Sequence, residues 1–161
     1  AGAGGSGGGS AVGCAAHPIP AKTTWVASAN IEGVPCVAPE TIYCGPSSYA
    51  IDGMTTTRFT TEAARTGTEW IQIDFGASVT VSKLVLHTAA GSNDYTHGYE
   101  VRMAAAAANI AASAAIVTGT GMVGDTTITF PSPQTGQFLR VNQTTAIAGW
   151  WSIQEIDASC Q

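Results

Sequence analysis

The stretch Tyr49-Ala-Ile-Asp-Gly-Met-Thr-Thr-Thr-Arg-Phe59 is the part of the chain from which its fold is inferred. Asp52-Gly53 is a turn signal, because glycine tolerates positive φ and an aspartate can bond its own backbone two residues on. Alone, this dipeptide predicts a plain turn. The threonines that follow, up to Thr57, add hydroxyl and carbonyl oxygens at close intervals. A carboxylate and such oxygens around a tight turn can also wrap a hard cation such as Ca²⁺, which takes about six to eight oxygen ligands.

A calcium site needs more than one carboxylate, so a second acid must come from elsewhere in the chain. The candidate is Glu155, in the segment Gly149-Trp-Trp-Ser-Ile-Gln-Glu-Ile156 near the other end of the sequence.

Length and composition restrict the classes of partner. The chain has 161 residues, enough for one domain with a real core. Charged residues make up 11% and the net charge is −5, with six lysines and arginines scattered along the chain. No basic stripe is present, which disfavours nucleic acid, anionic membranes and acidic polysaccharides. The most apolar stretch, 103–117, is mostly alanine and too short to span a bilayer, so no membrane insertion is expected.

The four cysteines, Cys14, Cys36, Cys44 and Cys160, form an even set without zinc-binding spacing. The sequence allows three pairings. Disulfides form in oxidising compartments, so the set predicts a secreted, extracellular protein.

The chain divides into a Gly/Ser-rich segment, 1–13, and a domain, 14–161. The segment has nothing to bury and predicts a flexible linker to a neighbouring domain on the N-terminal side, although a sequence added for expression would look the same. The domain contains short alternating stretches, which are typical of a β-sandwich. They lie at 70–75, 79–87, 99–103, 126–130, 137–142 and 152–158. Over 104–115 the alanines favour a helix by propensity, whereas the flanking strands favour a hairpin.

Three motifs occur in a fixed order: Ala-x-Asp-Gly-x-x-x-Thr-Arg-Phe59, Trp70-Ile-Gln-Ile-Asp-Phe-Gly76 and Trp150-Trp-Ser-Ile-x-Glu155. Over residues 21–158 the chain resembles the coagulation factor type C (discoidin) domain, and within it the family 32 carbohydrate-binding modules. The resemblance implies an all-β jelly roll, galactose-binding-domain-like, with a hairpin over 104–115. Members commonly join their ends by a disulfide, which favours Cys14–Cys160 and leaves Cys36–Cys44 to close a short loop.

The resemblance also implies a structural Ca²⁺ that clamps the first loop to the last strand. Two carboxylates, the hydroxyl of one threonine and four carbonyls would bind it. Carried over to this sequence, the ligands are Tyr49 O, Asp52, Met54 O, Thr57, Gln154 O and Glu155.

Family 32 modules bind sugars through loops at one end of the sandwich, which correspond here to 60–68, 89–98 and 146–151. A sugar site needs a flat aromatic ring and planar polar groups. Trp151 is expected in the core, whereas Trp150 and Tyr95 can either pack or form the platform. His97 stands where close relatives carry arginine. The candidate ligand residues are Glu62, Arg65, Asn93, Asp94, Tyr95, His97 and Trp150.

The sequence therefore predicts a non-catalytic carbohydrate-binding module that targets a secreted protein, for instance a glycoside hydrolase, to neutral polysaccharide or a galactose-containing glycan. A glycosidase would need two carboxylates across a cleft, and the cation site already accounts for Asp52 and Glu155. The alternative is a discoidin-type protein-recognition module used in adhesion.

Overall fold

Long antiparallel strands form the frame of the protein in a computed structural model that describes residues 9–37 and 44–161. One helix, α1 (Gly9–Ala16), precedes them, and single 3₁₀ turns lie at Lys22–Thr24, Ser47–Ala50 and Ala107–Asn109. The strands are β1 (Val26–Ala29), β2 (Phe59–Thr60), β3 (Arg65–Thr66), β4 (Trp70–His87), β5 (Gly98–Ala104), β6 (Val117–Thr120), β7 (Thr126–Gln143), β8 (Ala146–Ile147), β9 (Ser152–Ile153) and β10 (Glu155–Ser159). No helix in these described ranges is long and apolar enough to cross a membrane.

The main sheet has six strands, in the order β1-β4-β7-β5-β6, with β10 also paired to β4. Two small sheets, β2-β9 and β3-β8, join the loop region after residue 58 to the segment before β10. All of these pairings are antiparallel. The predicted all-β sandwich is therefore confirmed.

Strand β4 joins two stretches that the sequence predicts as separate strands. Its register against β7 shifts between Asp74 and Val79, where the residues Gly76, Ala77 and Ser78 are exposed. Gly76 has a φ of 75°, a conformation that glycine adopts without steric cost. The first part of β4 pairs with β1 and the second with β10, whereas β7 pairs with both parts, so β1 and β10 follow one another along the same side of β4.

Apolar residues alternate along β4, β5 and β7 and meet in one core, as a half-buried sheet requires. Trp151 is fully buried there, as expected. Its ring packs edge-on against Phe59 with centroids 5.7 Å apart, and its indole Nε1 donates to Thr96 Oγ1 at 2.9 Å. The tryptophan thus ties the last segment of the chain to the segment before β5.

Both expected disulfides are present, Cys14–Cys160 and Cys36–Cys44. The two ends of the domain also bond to β4: Thr80 N donates to His17 O, and Gln161 N donates to Ser82 Oγ, each at 2.9 Å. The chain therefore enters and leaves the domain beside the middle of β4.

Two expectations about local structure have different outcomes. The alanine run after β5 connects β5 to β6 as a hairpin with one 3₁₀ turn, which confirms the hairpin over the helix. In contrast, the linker over 1–13 stays a prediction, and the described part of that segment, from Gly9 on, forms the start of α1. Alanines favour this helix, and the Cys14 disulfide fixes it to the domain. Residues 1–8 of that segment, and 38–43 inside the second disulfide loop, lie outside the described residues.

Candidate functional site

Arg65 brings together the loops that the sequence predicts as a ligand site. Its side chain is 3% exposed, although it belongs to a short edge strand, β3. The guanidinium donates to three backbone carbonyls: Tyr95 O at 2.6 Å, Asn93 O at 3.1 Å and Gly149 O at 3.1 Å. One planar side chain therefore fixes the segments around 65, 93–95 and 149 relative to each other.

The charge of Arg65 is compensated at longer range. Burial lowers the pKa of Arg65, and the nearby carboxylates of Asp94 and Glu69 oppose that shift. All three hydrogen bonds of the guanidinium go to backbone carbonyls, so the structure gives Arg65 a positioning role, and the ligand contact predicted for it stays a prediction. No local pattern signals this, because an arginine in a polar loop looks the same whether it points inward or outward.

An aromatic pair lies on the loops that Arg65 holds. The rings of Tyr95 and His97 are stacked, with centroids 3.8 Å apart and planes inclined by 22°. His97 Nε2 lies 3.1 Å from Asn93 O, and the Asn93 side chain is exposed. Tyr95 and His97 are half-buried. The structure therefore brings three candidate residues together as a surface of planar groups beside an open amide.

The two candidate acids have protein partners. Asp94 Oδ2 lies 3.5 Å from Arg58 Nη1, and its backbone oxygen accepts a bond from Ser152 N at 2.9 Å. Glu62 has a φ of 52° and its carboxylate accepts Val34 N at 3.2 Å. Both side chains are half-buried, and these bonds fix their orientation.

Trp150, the other candidate platform, is half-buried at the junction between the Arg65-bound segment and the core. It follows Gly149, whose carbonyl accepts the guanidinium of Arg65. Its neighbour Trp151 is fully buried, whereas part of the surface of Trp150 faces solvent.

Glu69 stabilises the turn that follows Arg65, a role that the sequence does not predict. Its side chain is 1% exposed, and its carboxylate accepts bonds from Thr66 N and Oγ1, both at 2.7 Å. Gly67 N and Thr68 N donate to its other oxygen. Burial alone raises the pKa of Glu69, but these hydrogen bonds outweigh burial and hold the pKa below its ordinary value. The turn at 66–68 is thus built on an ionised carboxylate.

Glu69→Gln is expected to reduce the free energy of unfolding by about 2 kcal/mol at pH 7, because an amide offers one acceptor where the carboxylate has two. The folded-state pKa is depressed, so the stabilisation is present above the unfolded pKa of about 4.3 and is lost as pH falls through the folded value. Urea unfolding at pH 7 and at pH 3 measures this. The gap between wild type and variant should shrink at pH 3; a constant gap would contradict the role of the charge.

The predicted cation loop folds around Asp52. Thr57 Oγ1 donates to Asp52 Oδ2 at 2.7 Å and lies 3.1 Å from Met54 O, and Met54 N donates to Asp52 Oδ1 at 2.8 Å. The Tyr49 backbone belongs to the 3₁₀ turn Ser47–Ala50 just before this loop. Thr57 Oγ1 therefore lies within hydrogen-bond distance of oxygens of two other predicted ligands, Asp52 and Met54.

The last strand meets this loop through two adjacent residues. Glu155 is 4% exposed and its Oε2 accepts Gly53 N at 2.8 Å. Gln154 Nε2 donates to Thr55 O at 2.6 Å. These contacts join the loop at 52–57 to the start of β10, as a clamp at this position would. Carbonyls, a hydroxyl and two carboxylates are the hard donors that Ca²⁺ prefers, so the donor set fits that ion.

In the described part of the chain, no three histidine, cysteine or acidic side chains lie close enough to hold a metal. The cation site would thus rest mainly on carbonyl oxygens. One cation already lies at Glu155: Lys22 Nζ is 2.5 Å from its Oε1.

Comparison with known proteins adds a family and a set of structures. The F5/8 type C domain model matches residues 36–156. The chain shows no significant match among curated protein sequences.

Several solved structures share the fold. The family 32 module of C. perfringens NanJ, determined with galactose, superposes with a TM-score of 0.67 at 22% identity, covering 86% of this chain and 95% of that one. Chitosan-binding module 1 of a chitosanase/glucanase from Paenibacillus sp. IK-5 gives 0.65 at 25% identity, covering 84% and 95%. The C-terminal domain of a chitobiase from Bacteroides fragilis gives 0.71 at 18% identity, covering 88% and 97%.

Proposed function

The chain belongs to the F5/8 type C domain family, and on that premise we propose that it is a non-catalytic carbohydrate-binding module for a neutral glycan. The observation that carries the proposal is the set of loops held by Arg65, which presents the stacked Tyr95 and His97 next to the open Asn93 amide. Aromatic rings bind the C–H face of a sugar, and planar polar groups bond its hydroxyls.

The electrostatics of these loops support a neutral ligand. The buried guanidinium of Arg65 is hydrogen-bonded to backbone carbonyls, and the carboxylate of Asp94 is paired with Arg58. Glu62 is engaged with the backbone of residue 34. Hydrolysis of a glycoside requires two carboxylates across a cleft, and the engagement of both acids by protein groups supports a non-catalytic role.

The similar structures and the two disulfides support a proposal for the kind of protein that carries the module. Modules of similar structure come from a chitosanase/glucanase and a chitobiase. Two disulfides indicate an oxidising compartment, which supports secretion. We therefore assign the module to a secreted protein that it targets to a polysaccharide, with a neighbouring domain on the N-terminal side of the segment 1–13. A tether raises the effective concentration of a catalytic domain at its substrate even when each module binds weakly.

Affinity electrophoresis on soluble β-glucan and galactan, which are uncharged, tests the glycan proposal. Wild type should be retarded by at least one of these polymers, and Tyr95→Ala should lose about 1–3 kcal/mol of binding, or roughly 5- to 150-fold, since a ring stacked on the ligand is removed. Trp150→Ala tests the second platform. Phe138→Ala is the matched control, because this half-buried residue lies on β7 opposite Asp74, at the register shift of β4 and outside the three predicted ligand loops.

The outcomes separate the two functions. Retardation that Tyr95→Ala weakens and Phe138→Ala leaves unchanged supports the module and locates its platform. Absence of retardation on every polymer would favour the alternative, a protein-recognition module.

The same proposal includes a structural Ca²⁺ held by Asp52, Thr57, Glu155 and the carbonyls of residues 49, 54 and 154. The ion would supply positive charge where the loop at 52–57 meets β10. Calcium at 100 times its Kd should stabilise the fold by about 2.7 kcal/mol, which raises the Tm by about 5–10 °C in a domain of this size. Scanning calorimetry in EGTA and in calcium measures the shift. An identical Tm in calcium and after exhaustive chelation would remove the ion from the proposal. Magnesium in place of calcium is the control cation.

A further inference from the structure

Lys22 occupies a position between two carboxylates of the last strand. Its Nζ lies 2.5 Å from Glu155 Oε1 and 2.5 Å from Asp157 Oδ1. The Glu155 side chain is 6% exposed, whereas that of Lys22 is 25% exposed. A carboxylate buried to this degree requires a counter-charge, and in this structure the ammonium supplies it.

Lys22 is positioned by a short turn that packs against the core. It begins the 3₁₀ turn Lys22–Thr24, and Trp25 follows this turn directly as its C-cap. Trp25 is 7% exposed, donates its indole Nε1 to Pro20 O at 3.0 Å and packs edge-on against Phe75. The backbone of Lys22 is therefore anchored to the core through Trp25, whereas its side chain reaches the surface.

Glu155 is shared between this lysine and the cation loop. Its Oε1 faces Lys22, and its Oε2 accepts Gly53 N from the loop at 52–57. Resting on the calcium site of the proposed function, we propose that Lys22 and the divalent cation compete for Glu155. Lys22 neutralises the carboxylate and keeps the loop clamped when the cation is absent, and it weakens cation binding.

Asp157 gives the lysine a second position. Asp157 Oδ1 contacts Lys22, and its Oδ2 lies 3.0 Å from His87 Nε2. The other ring nitrogen of His87, Nδ1, lies beside Asp125 Oδ1. When the cation binds Glu155, the ammonium can leave Oε1 and remain with Asp157. The exchange therefore moves one flexible side chain and leaves β10 in place.

Charge at the ligands sets the strength of calcium sites: oxygen sites of similar build differ by orders of magnitude in Kd with the number of charged ligands. Lys22→Met removes a positive charge in contact with one ligand and leaves Asp157 to add negative potential. The variant should bind Ca²⁺ at least about tenfold more tightly than wild type. In EGTA it should melt at a lower temperature, because Glu155 then lacks a counter-charge.

Isothermal titration with CaCl₂ and thermal unfolding in EGTA test this on the full chain. Lys83→Met is the matched control, since Lys83 is the other lysine of the sequence and lies on β4 opposite Ser159. It changes the net charge equally without touching Glu155. Lys22→Arg keeps the charge and should keep the calcium affinity near that of wild type, and Lys22→Gln serves as a second neutral variant.

Tighter calcium binding by Lys22→Met and Lys22→Gln, but not by Lys83→Met, supports the competition. A Lys22 variant that folds only when calcium is added supports it equally. Equal affinity in wild type and both neutral variants overturns it, as does a neutral variant that stays unfolded with calcium. Calcium binding by none of the proteins would overturn both the competition and the calcium site, whereas glycan retention by the wild type would still stand.

Discussion

Arg65→Met is expected to lower the free energy of unfolding by about 3–5 kcal/mol and to abolish retention on glycan. The guanidinium of Arg65 satisfies three carbonyls in a site that is nearly closed to water. A hydrogen bond to a charged group contributes about 1.5–3 kcal/mol, and each buried carbonyl left without a donor adds a desolvation cost. Methionine fills much of the volume but offers no donor.

The loss should affect binding as well as stability, because the segments around Asn93, Tyr95 and Gly149 would no longer share an anchor. Urea unfolding measures the first effect and affinity electrophoresis the second. Arg65→Lys should recover only part of both, since a single ammonium cannot reach three carbonyls in the plane of a guanidinium.

Arg102→Met is the matched control for this substitution. Arg102 is half-buried on β5 and donates to Ala111 O and Ser113 O, so it also anchors a loop through carbonyls. That loop is the alanine hairpin between β5 and β6. It follows the C-terminal end of β5, whereas Tyr95 and His97 precede the N-terminal end. Arg102→Met should cost less stability and leave glycan retention intact. If both variants lose retention alike, the effect of Arg65 is general destabilisation and not the arrangement of the ligand loops.

Removal of the Cys14–Cys160 disulfide is the second large expected effect. The bond joins residues 146 apart in sequence. In the chain-entropy model, closing a loop of this length stabilises the folded state by about 5 kcal/mol, because the unfolded chain loses freedom. Cys14→Ser together with Cys160→Ser should therefore lower the free energy of unfolding by about that amount, measured in urea.

The second disulfide gives a control with the same chemistry. Cys36–Cys44 spans 8 residues, for which the same model gives about 2.5 kcal/mol. The terminal pair should thus cost about twice as much to remove as the short one. A smaller loss for the terminal pair would contradict the entropic account and would mean that the bonds of Thr80 and Ser82 already hold the ends together.

The sequence was sufficient for the frame of the fold because its features are local or carried by family motifs. Alternation over 70–75 and 79–87 predicts strands, although not that one continuous strand, β4, contains both. The hairpin after β5 follows from strands on both sides, against the helix propensity of alanine. Trp151 was placed correctly in the core, since its motif fixes its position at the start of β9.

The inward contacts of polar side chains could not be predicted in the same way. Arg65 and Glu69 lie in a stretch whose composition suits an exposed loop, yet both are buried. Their partners are backbone groups that converge only after folding. Lys22 and Glu155 are 133 residues apart, and no motif connects them. Residue type alone does not report such pairs.

The position of the two chain ends has a consequence for protein engineering. The Cα atoms of Cys14 and Cys160 are 5.6 Å apart, and both ends bond to the middle of β4. The loop at 89–98 leaves β4 beyond His87, about 23 Å along the strand from Thr80 at 3.3 Å per residue. This domain could therefore be inserted into a surface turn of a host protein without separating the two ends of that turn. The loops held by Arg65 would then project away from the junction.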